Sequence, residues 1–385
     1  LYQAMDIFAL PSLHEGLPLV GVEAQIAGLT CLFSDTITDE LLMTNHAVYL
    51  NLQDMKNWVE TIHNWKCNLI ERENDAALVH DKGYENIFLL GMGGTYDELE
   101  PIQYIMNKYS EVEVHLANAA ELNVLGNKRL KKGSVVITAS ASGDTKEIVE
   151  AVEWIVKEGI EVVAFTKPET PLGKLATTII TAPVTTGQCE YSYLMFDVLA
   201  LRLLNRRNEF PKYETFIAQT KNIFHDLVDI REKFDAKADE IAKAYALEPY
   251  SIFVGSGALW GETVLFSMCI LEEMQWVRTR AVSSPDFFHG TLELVDKDVP
   301  VFLFKGEDEC RKLDNRVEAF AKKFTDKLVV IDTAEYAIDG LDPEFRMIVS
   351  PMILTALVTE RLESYYETYH KHNLTYRRYY RQIEY

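Results

Sequence analysis

The sequence predicts an α/β protein in which two doubly wound, parallel-sheet halves follow one another and a partial α/β unit precedes them. The first observation is a short apolar run that ends in glycine and occurs twice, at 87–93 and at 252–257. The second is that further strand-like runs follow both copies in the same order. The third is a change of character upstream of about residue 72, where the pattern fits neither copy.

Each half contains a series of strand–helix units. The strand-like runs at 112–117, 135–139 and 161–166 correspond to those at 277–282, 299–303 and 328–333. Stretches with helical periodicity, such as 145–156, follow these runs. Because repeated strand–helix units form parallel sheets through right-handed crossovers, we expect a tandem pair of αβα sandwiches.

Two further segments connect and extend the halves. The stretch 208–246 has a polar start and then helical periodicity, which predicts a helix pair between the halves. The stretch 365–385 is crowded with Tyr, His and Arg, so we expect it to pack back onto the protein or onto a neighbouring subunit. These features give three predicted domains: residues 1–72, 73–220 and 221–385.

Composition limits the possible partners. The chain has 385 residues, of which 48% are hydrophobic and 25% are charged, and its net charge is −21. This charge argues against nucleic acid as a partner, because its phosphates would be repelled over most of the surface. No apolar run approaches the roughly 18 residues that a membrane span needs. The five cysteines are scattered without a CxxC pair, which favours free thiols in the cytoplasm over disulfides or a metal site.

The run VVITASASGDT delivers hydroxyl groups to the turn between a strand and a helix. Ser140, Ser142 and Thr145 lie where a helix N-terminus offers free N–H donors and a partial positive charge, a combination that binds phosphate. The alternative is that Ser142 or Asp144 only caps the helix. Three hydroxyls within six residues favour phosphate. The corresponding loop of the second half, 305–309, carries three acids, so we expect one phosphate site per chain.

The first strand of the first half ends in a glycine-rich turn. We expect Gly93 and Thr95 of this turn to lie beside the phosphate loop and to contact the substrate. A short glycine motif is often only a tight turn. Since no acidic residue follows at the spacing that a dinucleotide ribose requires, we predict no nicotinamide cofactor.

Glu273 and His289 are the candidate acid–base pair. A helix ends near Glu273, a strand follows, and a turn presents His289, 16 residues further along. We therefore expect both side chains at one end of the second sheet. A carboxylate that moves protons on carbon and an imidazole that moves them on oxygen suit aldose–ketose chemistry. The alternative is a solvated helix end at Glu272 and Glu273, with His289 as a helix cap.

The sequence resembles the sugar isomerase (SIS) domain proteins over nearly all of 73–385. The resemblance rests on three features taken together: the repeat, the SASGDT loop and the spacing of Glu273 and His289. The isomerase half of glutamine:fructose-6-phosphate amidotransferase is a relative of this kind. The resemblance implies that the three loop hydroxyls bind phosphate, that Glu273 is the base and that His289 opens the sugar ring. The residue before the base is Lys in that enzyme and Glu272 here. The glutaminase domain has no counterpart, so we do not expect glucosamine synthesis from glutamine.

A closer resemblance is to the bacterial fructoselysine-6-phosphate and related ketosamine-6-phosphate deglycases. It rests on the motifs PDFFHGTLELV and EEMQW and on the ending HN…RRYY…EY. Glu190 falls where those enzymes have a glutamate after the last strand of the first half, and it is a candidate substrate ligand. The resemblance implies that Glu273 takes a proton from C1 of a ketosamine 6-phosphate and returns it at C2. Hydrolysis of the resulting imine would release glucose 6-phosphate and an amine, with no metal and no cofactor.

Two other functions stay open at this point. One is an aldose–ketose phosphosugar isomerase of the same fold, and the other is a non-catalytic sugar-phosphate sensor. The pair Glu273 and His289 argues against the sensor, because binding alone needs only the phosphate loop. In the SIS relatives a second subunit completes the site. The resemblance therefore implies a homodimer or larger homo-oligomer in which His289 serves the neighbouring subunit.

The N-terminal unit carries a different motif. Glu15 begins the sequence EGLP, and Glu23 follows eight residues later. This E-x7-E pattern resembles the retaining GT-B glycosyltransferases of the glycogen-synthase-like group, in the final part of their donor domain. The resemblance implies that Glu23 contacts a donor ribose and that Glu15 lies near the transferred sugar. Because the acceptor domain and most of the nucleotide site have no counterpart, we expect the unit to be inactive as a transferase.

Overall fold

The computed structural model describes residues 7–13, 18–26, 30–38, 47–59, 61, 83–181 and 189–383. Within these residues the strands form three sheets, and all the strand pairs in them are parallel. This arrangement confirms the predicted α/β class. Within the same residues, no helix is both long enough and apolar enough to cross a membrane.

The N-terminal unit is a small sheet with the strand order β1-β2-β3. The elements in it are Ile7–Leu10 (β1), Leu19–Ile26 (α1), Thr30–Ser34 (β2) and Ala47–Leu50 (β3). Its core is centred on the fully buried Phe33. These strands and this helix agree with the partial α/β unit that was predicted upstream of about residue 72. Glu15 and the side chain of Glu23 fall outside the described residues.

The first half is a five-stranded sheet with the order β5-β4-β6-β7-β8. Its strands are Asn86–Gly91 (β4), Glu113–Asn118 (β5), Ser134–Ala139 (β6), Glu161–Phe165 (β7) and Thr178–Ile180 (β8). Its helices are Gly94–Tyr109 (α2), Ala119–Leu125 (α3), Lys146–Lys157 (α4) and Pro171–Leu175 (α5). Every residue of β4 is buried, because apolar clusters cover both faces of the sheet.

The second half is a four-stranded sheet with the order β10-β9-β11-β12. Its strands are Ser251–Gly255 (β9), Thr279–Ser283 (β10), Val301–Lys305 (β11) and Leu328–Asp332 (β12). Its helices are Trp260–Leu265 (α9), Ser284–Phe287 (α10) and Arg311–Phe324 (α11), with short 3₁₀ turns at Gly257–Leu259, Thr291–Leu294, Thr333–Tyr336 and Pro343–Phe345. The order β10-β9-β11-β12 repeats β5-β4-β6-β7 position for position, which confirms the tandem repeat.

Further helices join the two halves into one body. These are Cys189–Arg206 (α6), Tyr213–Gln219 (α7), Ile223–Tyr245 (α8), Arg346–Leu357 (α12) and Glu363–His370 (α13). Helices α7 and α8 are the pair predicted at 208–246. A single apolar cluster runs from Leu89 in β4 through Phe234 in α8 to Phe253 in β9. Gly261 allows α9 to approach α2 closely, because a Cβ there would lie 2.0 Å from the backbone oxygen of Asp97.

Two π-helical segments interrupt the regular helices. One, Phe266–Glu272, continues α9, and the other, Val358–Leu362, separates α12 from α13. The first ends directly before Glu273. The sequence predicted an ordinary helix that ends near Glu273, because the extra residue of a π turn leaves no clear trace in apolar periodicity. Such segments occur frequently at functional sites.

After α13 the chain reverses at Lys371, which has a φ of 55°. The following residues, 371–383, are called the C-terminal tail below. The tail packs back onto the protein and contacts both Glu273 and Ser142. The expectation that this aromatic, basic segment packs back is therefore confirmed.

Candidate active site

The three hydroxyls of the predicted phosphate loop converge on one another. The Oγ of Ser140 lies 3.0 Å from the Oγ1 of Thr145 and 3.5 Å from the Oγ of Ser142. Thr145 is the N-cap residue of α4, yet its side chain makes no capping hydrogen bond. The hydroxyls are therefore grouped at the helix N-terminus without capping it, where an anion would meet both hydroxyl and N–H donors.

A glycine and the next loop hold this turn in shape. Gly143 has a φ of +67°, and a Cβ at this position would lie 2.3 Å from the side chain of Thr170. Its carbonyl accepts a hydrogen bond of 2.9 Å from the N–H of Leu172 in α5. Its own N–H donates to the Oγ of Ser140 at 3.0 Å. Only glycine fits here without strain, since the φ is left-handed and the space is filled.

The glycine-rich turn lies beside the phosphate loop, as predicted, because β4 pairs with β6. Gly93 precedes α2 with a φ of 55°, and Thr95 is the second residue of that helix. A Cβ on Gly94 would lie 3.7 Å from the Sγ of Cys269. Since Cys269 belongs to the π segment that leads to Glu273, this turn is a point where the two halves meet.

Glu273 and its neighbour Glu272 have different surroundings. The Oε1 of Glu273 accepts a hydrogen bond of 2.9 Å from the Nε of Arg377 in the tail, and these two side chains are 31% and 18% exposed. Glu272 instead accepts a hydrogen bond of 2.6 Å from the hydroxyl of Thr279, at the amino end of β10. The tail therefore positions the carboxylate of Glu273, whereas Glu272 is bound to the following strand, β10.

The tail continues from Glu273 to the phosphate loop. The Nη2 of Arg381 donates to the Oγ of Ser142 at 3.2 Å and to the Oδ1 of Asp144 at 3.1 Å. The hydrogen bonds from Ser142 and Arg381 lower the pKa of Asp144. Four residue steps separate Arg377 from Arg381, which corresponds to at most about 14 Å of chain. The carboxylate and the loop therefore lie in one region of one chain.

His289 lies away from this region. Glu272, next to Glu273, binds Thr279 at the amino end of β10, whereas His289 follows α10 beyond the carboxyl end of the same strand. The strand advances by roughly 3.3 Å per residue, so its two ends are more than about 10 Å apart. The prediction that Glu273 and His289 share one end of the sheet is wrong for a single chain, because β10 separates them. His289 is exposed beside β10, which is an edge strand.

Glu190 is buried in the first turn of α6, with 5% of its surface exposed. One carboxylate oxygen pairs with Arg231 of α8. Within the described residues, its other oxygen has no hydrogen-bond partner. Burial raises the pKa of Glu190 to about 7, against the opposing effect of Arg231. In the described part of the chain, no hydrogen bond joins Glu190 directly to the phosphate loop or to Glu273.

The acids of the corresponding loop in the second half are engaged by the protein itself. Asp308 accepts hydrogen bonds from the backbone N–H groups of Ala258 and Cys310, at 2.8 and 2.7 Å. Glu309 forms an ion pair of 2.6 Å with Lys108. The carboxylate of Asp308 therefore occupies backbone N–H donors that a bound anion would need. This supports the expectation of a single phosphate site per chain.

The sequence matches a known family in the first half and known proteins over most of its length. Residues 82–202 match the family model of the SIS domain. Over 327 residues the chain is 28% identical to the fructosamine deglycase FrlB of Bacillus subtilis, which covers 82% of this chain and 98% of that protein. Over 320 residues it is 27% identical to the fructoselysine 6-phosphate deglycase of Escherichia coli, which covers 80% of this chain and 91% of that protein.

Solved structures have the same fold. A candidate phosphosugar isomerase from Bacillus subtilis, 27% identical, matches with a TM-score of 0.75 over 79% of this chain and 93% of that chain. Residues 82–202 of the chain therefore contain a SIS domain. A second candidate phosphosugar isomerase, from Salmonella typhimurium, is 24% identical and matches with a TM-score of 0.76 over 82% of this chain and 96% of that chain.

The SIS-domain protein also carries a glycosyltransferase-like piece. Over 68 residues the chain is 44% identical to the candidate glycosyltransferase EpsF of Bacillus subtilis. The match covers 16% of this chain and 17% of that protein. It therefore concerns a short fragment of such an enzyme, in keeping with the resemblance to part of a donor domain.

The structure brings together some of the residues that the sequence predicted for the site. The structure groups the hydroxyls of Ser140, Ser142 and Thr145, and it places the turn with Gly93 and Thr95 beside them. The roles predicted for these residues, and for Glu273, His289 and Glu190, stay predictions. Arg377 and Arg381 were missed as site residues, because their partners are 104 and 239 residues away in the chain. The feature of the sequence that could have indicated these two arginines is the basic C-terminal segment of a strongly acidic protein.

Proposed function

We propose that this SIS-domain protein is a deglycase, which splits a ketosamine 6-phosphate into glucose 6-phosphate and a free amine. The observation that carries the proposal is the position of the tail. Arg377 binds Glu273 while Arg381 binds Ser142, so one short segment of the tail contacts both the proposed base and the phosphate loop. The two relatives named as deglycases, which align over about four-fifths of the chain, support the same activity.

The phosphate loop binds the 6-phosphate in this proposal. The hydroxyls of Ser140, Ser142 and Thr145 donate to the phosphate oxygens, together with the N–H groups at the start of α4. Arg381 adds a positive charge next to Ser142, which offsets the repulsion from a protein of net charge −21. Gly93 and Thr95 lie along the sugar in this proposal, and Glu190 is kept as a further proposed substrate ligand.

Glu273 transfers the proton between carbons. Its carboxylate removes a proton from C1 of the open-chain ketosamine, a C1–C2 double bond forms, and the C2 carbonyl oxygen gains a proton. The resulting enaminol takes the proton from Glu273 at C2, its hydroxyl stays on C2, and the electron pair of nitrogen closes a C1=N imine. Water then adds to C1 and the C–N bond breaks. Nitrogen leaves as the protonated amine, and C1 becomes the aldehyde of glucose 6-phosphate. The overall step is a hydrolysis, and no metal or cofactor is proposed.

The proposed assembly is a homodimer, or a larger homo-oligomer, in which His289 serves the partner's site and assists ring opening. His289 is exposed beyond the carboxyl end of the edge strand β10 and is separated from Glu273 of its own chain. Apolar side chains near it are also exposed: Leu294 by 52% and Phe324 by 50%. Phe324 stacks on Phe320, with ring centroids 4.6 Å apart. Exposed aromatic and aliphatic groups of this kind suit a subunit contact.

The organisation and location are proposed from the same features. We keep the boundaries 1–72, 73–220 and 221–385, since the N-terminal sheet is separate and α8 begins at Ile223. We also propose the cytoplasm as the location of the enzyme. The thiols of Cys269 and Cys310 form no disulfide, as is usual in a reducing compartment.

The second candidate is an aldose–ketose phosphosugar isomerase. The solved structures described as candidate phosphosugar isomerases favour it, and proton transfer by Glu273 would serve that reaction equally. The two functions differ in one product, because only the deglycase releases an amine.

The test is to incubate the purified protein with a panel of ketosamine 6-phosphates and, separately, with fructose 6-phosphate. We expect equal amounts of free amine and glucose 6-phosphate from at least one ketosamine. Interconversion of hexose phosphates without amine release would favour the isomerase. Tight binding of the sugar phosphates with no turnover would favour the sensor.

A further inference from the structure

The second half has a pocket of its own, at the edge of its sheet that corresponds to the phosphate loop of the first half. The cavity has a volume of about 620 Å³. Ser256 and Gly257 line it just after β9, Ser283 lines it at the end of β10, and Glu309 and Cys310 line it after β11. Ligands of open α/β sheets bind beyond the carboxyl ends of the strands, at the point where the strand order reverses, and in the order β10-β9-β11-β12 this point lies at β9. We refer to this cavity as the second pocket.

A sugar phosphate does not suit the second pocket, because the charges there are unfavourable for an anion. Among the described residues that line it, Lys108 is the only cation, and its Nζ lies 2.6 Å from the Oε1 of Glu309. Asp308, the residue before Glu309, accepts hydrogen bonds from the backbone N–H groups of Ala258 and Cys310. The donors that an anion needs are therefore already engaged, and the second pocket favours a neutral or cationic ligand.

Glu100 gives the second pocket a negative charge that the protein does not neutralise. This residue belongs to α2, the helix by which the first half contributes a wall. Within the described residues, its carboxylate forms no ion pair and accepts no hydrogen bond, and its Oε2 is buried. Burial raises the pKa of Glu100 to about 7. Since an ionised carboxylate without a partner is costly in a shielded position, a cationic ligand would be bound favourably beside it.

Two aromatic side chains lie in the same cavity. Tyr104 follows Glu100 by one turn of α2, and Trp260 begins α9 on the opposite wall. The two helices are in close contact here, because a Cβ on Gly261 would lie 3.1 Å from the Cδ of Pro101. Aromatic rings attract ammonium groups through their faces and also cover aliphatic carbon. A carboxylate and two rings in one pocket therefore suit an organic cation.

We propose that the second pocket is a binding site for a primary ammonium group on an aliphatic chain, with Glu100 as its counter-ion and Trp260 and Tyr104 along the chain. A primary ammonium has three N–H donors, and the side chains of Gln103 and Asn107 add acceptor oxygens to the same wall. In the described part of the molecule, no group of three or more His, Cys, Asp or Glu side chains is arranged to hold a metal ion, so an organic cation fits better than a metal. The site is additional to the proposed deglycase activity and does not depend on it.

The experiment compares three probes with the same carbon chain: hexylamine, hexanol and hexanoate. Binding of each to the full-length protein is measured by calorimetry at pH 8, above the pKa of Glu100. We expect one molecule of hexylamine to bind per chain, at least about 10-fold more tightly than hexanol, which is the effect of one charge-assisted hydrogen bond. Hexanoate should bind more weakly than either.

Variants then locate the site. Glu100→Gln keeps the shape of the side chain, and it should weaken hexylamine binding by about 10- to 100-fold while leaving hexanol unchanged. Glu121→Gln is the control for net charge, since Glu121 is exposed and does not line the pocket, and it should bind hexylamine like the wild type. Trp260→Leu tests the opposite wall independently and should weaken hexylamine binding by about 2- to 10-fold.

The outcomes separate this inference from the proposed function. Equal affinities for hexylamine and hexanol, tighter binding of hexanoate, or an unchanged affinity for hexylamine in Glu100→Gln would each overturn the inference. Loss of hexylamine binding in Glu273→Gln, with full binding in Glu100→Gln, would place the amine in the proposed active site and overturn it as well. None of these measurements uses turnover. Absence of amine release from every ketosamine would therefore overturn the deglycase and leave the second pocket unaffected.

Discussion

At the scale of single residues, the difference between two adjacent acids decides which of them can act as the base. Glu273 is partly buried and is held by Arg377, whereas Glu272 is exposed and bound to Thr279 of the following strand, β10. A carboxylate that is fixed in position and partly shielded from water is better suited to remove a proton from carbon. The sequence EEM alone does not distinguish the two acids, because the distinction comes from an arginine 104 residues later.

We predict that Glu273→Gln lowers kcat by about 100- to 10,000-fold, the usual contribution of a general base. The amide keeps the shape of the side chain but cannot accept the C1 proton, so binding of glucose 6-phosphate should change little. Glu272→Gln is the matched control and should stay within a few-fold of wild type. Rates of amine release and calorimetric binding check both statements. Equal losses in the two variants, or a loss at Glu272 alone, would mean that the base is wrongly assigned.

The phosphate loop gives a second prediction at this scale. Ser142→Ala combined with Thr145→Ala removes two hydroxyl donors to a charged group, so we expect KM to rise at least about 100-fold. Thr145 makes no capping hydrogen bond, so the melting temperature should change little. Steady-state kinetics and thermal unfolding separate the two effects. An unchanged KM would place the phosphate elsewhere.

At the scale of elements, buried acids hold the helices around the site together. Glu262 of α9 is fully buried and accepts hydrogen bonds from the hydroxyls of Tyr193 in α6 and Thr359 in the second π segment, at 3.0 and 2.5 Å. Burial raises the pKa of Glu262 to about 8, although these hydrogen bonds oppose the shift. This carboxyl therefore stays protonated in the folded protein at neutral pH.

The raised pKa of Glu262 makes the stability depend on pH. The folded state holds the proton up to about pH 8, whereas the unfolded chain releases it near the ordinary value of 4.5. The contribution is therefore fully present below pH 4.5 and is lost as pH rises to 8, by up to about 1.4 kcal/mol per pH unit. We predict that Glu262→Gln, which keeps the hydrogen bonds without titrating, loses less stability than wild type between pH 5.5 and 8. Urea unfolding at both values measures this, and parallel losses in the two proteins would contradict it.

The regular elements could be predicted from the sequence because a buried parallel strand appears there as a short apolar run. In the first strand of each half this run ends in glycine. The strands at 87–91 and 252–255 are examples, and their order in the sheet follows from the repeat. The π segment before Glu273 was not predictable, since one inserted residue changes the helix without changing its apolar character. The path of the tail was not predictable either, because Arg381 and Ser142 are joined only in three dimensions.

At the scale of the whole molecule, the two halves pack around one apolar core but contribute different groups to the proposed site. The first half retains the hydroxyl loop, and the second half fills the equivalent position with Asp308 and supplies Glu273. The sequence identified both chemical groups and their halves. It placed His289 wrongly relative to Glu273, because a spacing of 16 residues is compatible with either end of an intervening strand. The exposed position of His289 instead suits a site completed by a second chain.

The central claim is that each active site combines the phosphate loop and Glu273 of one chain with His289 of another. The most direct measurement mixes inactive Glu273→Gln protein with inactive His289→Ala protein under conditions that exchange subunits. In a mixed dimer, one site receives both substitutions and the other receives neither. With random exchange of equal amounts, half of the dimers are mixed, so amine release should recover to about one quarter of the wild-type rate. Full inactivity in a sample proven to contain mixed dimers would contradict the claim and show that each chain builds its site alone.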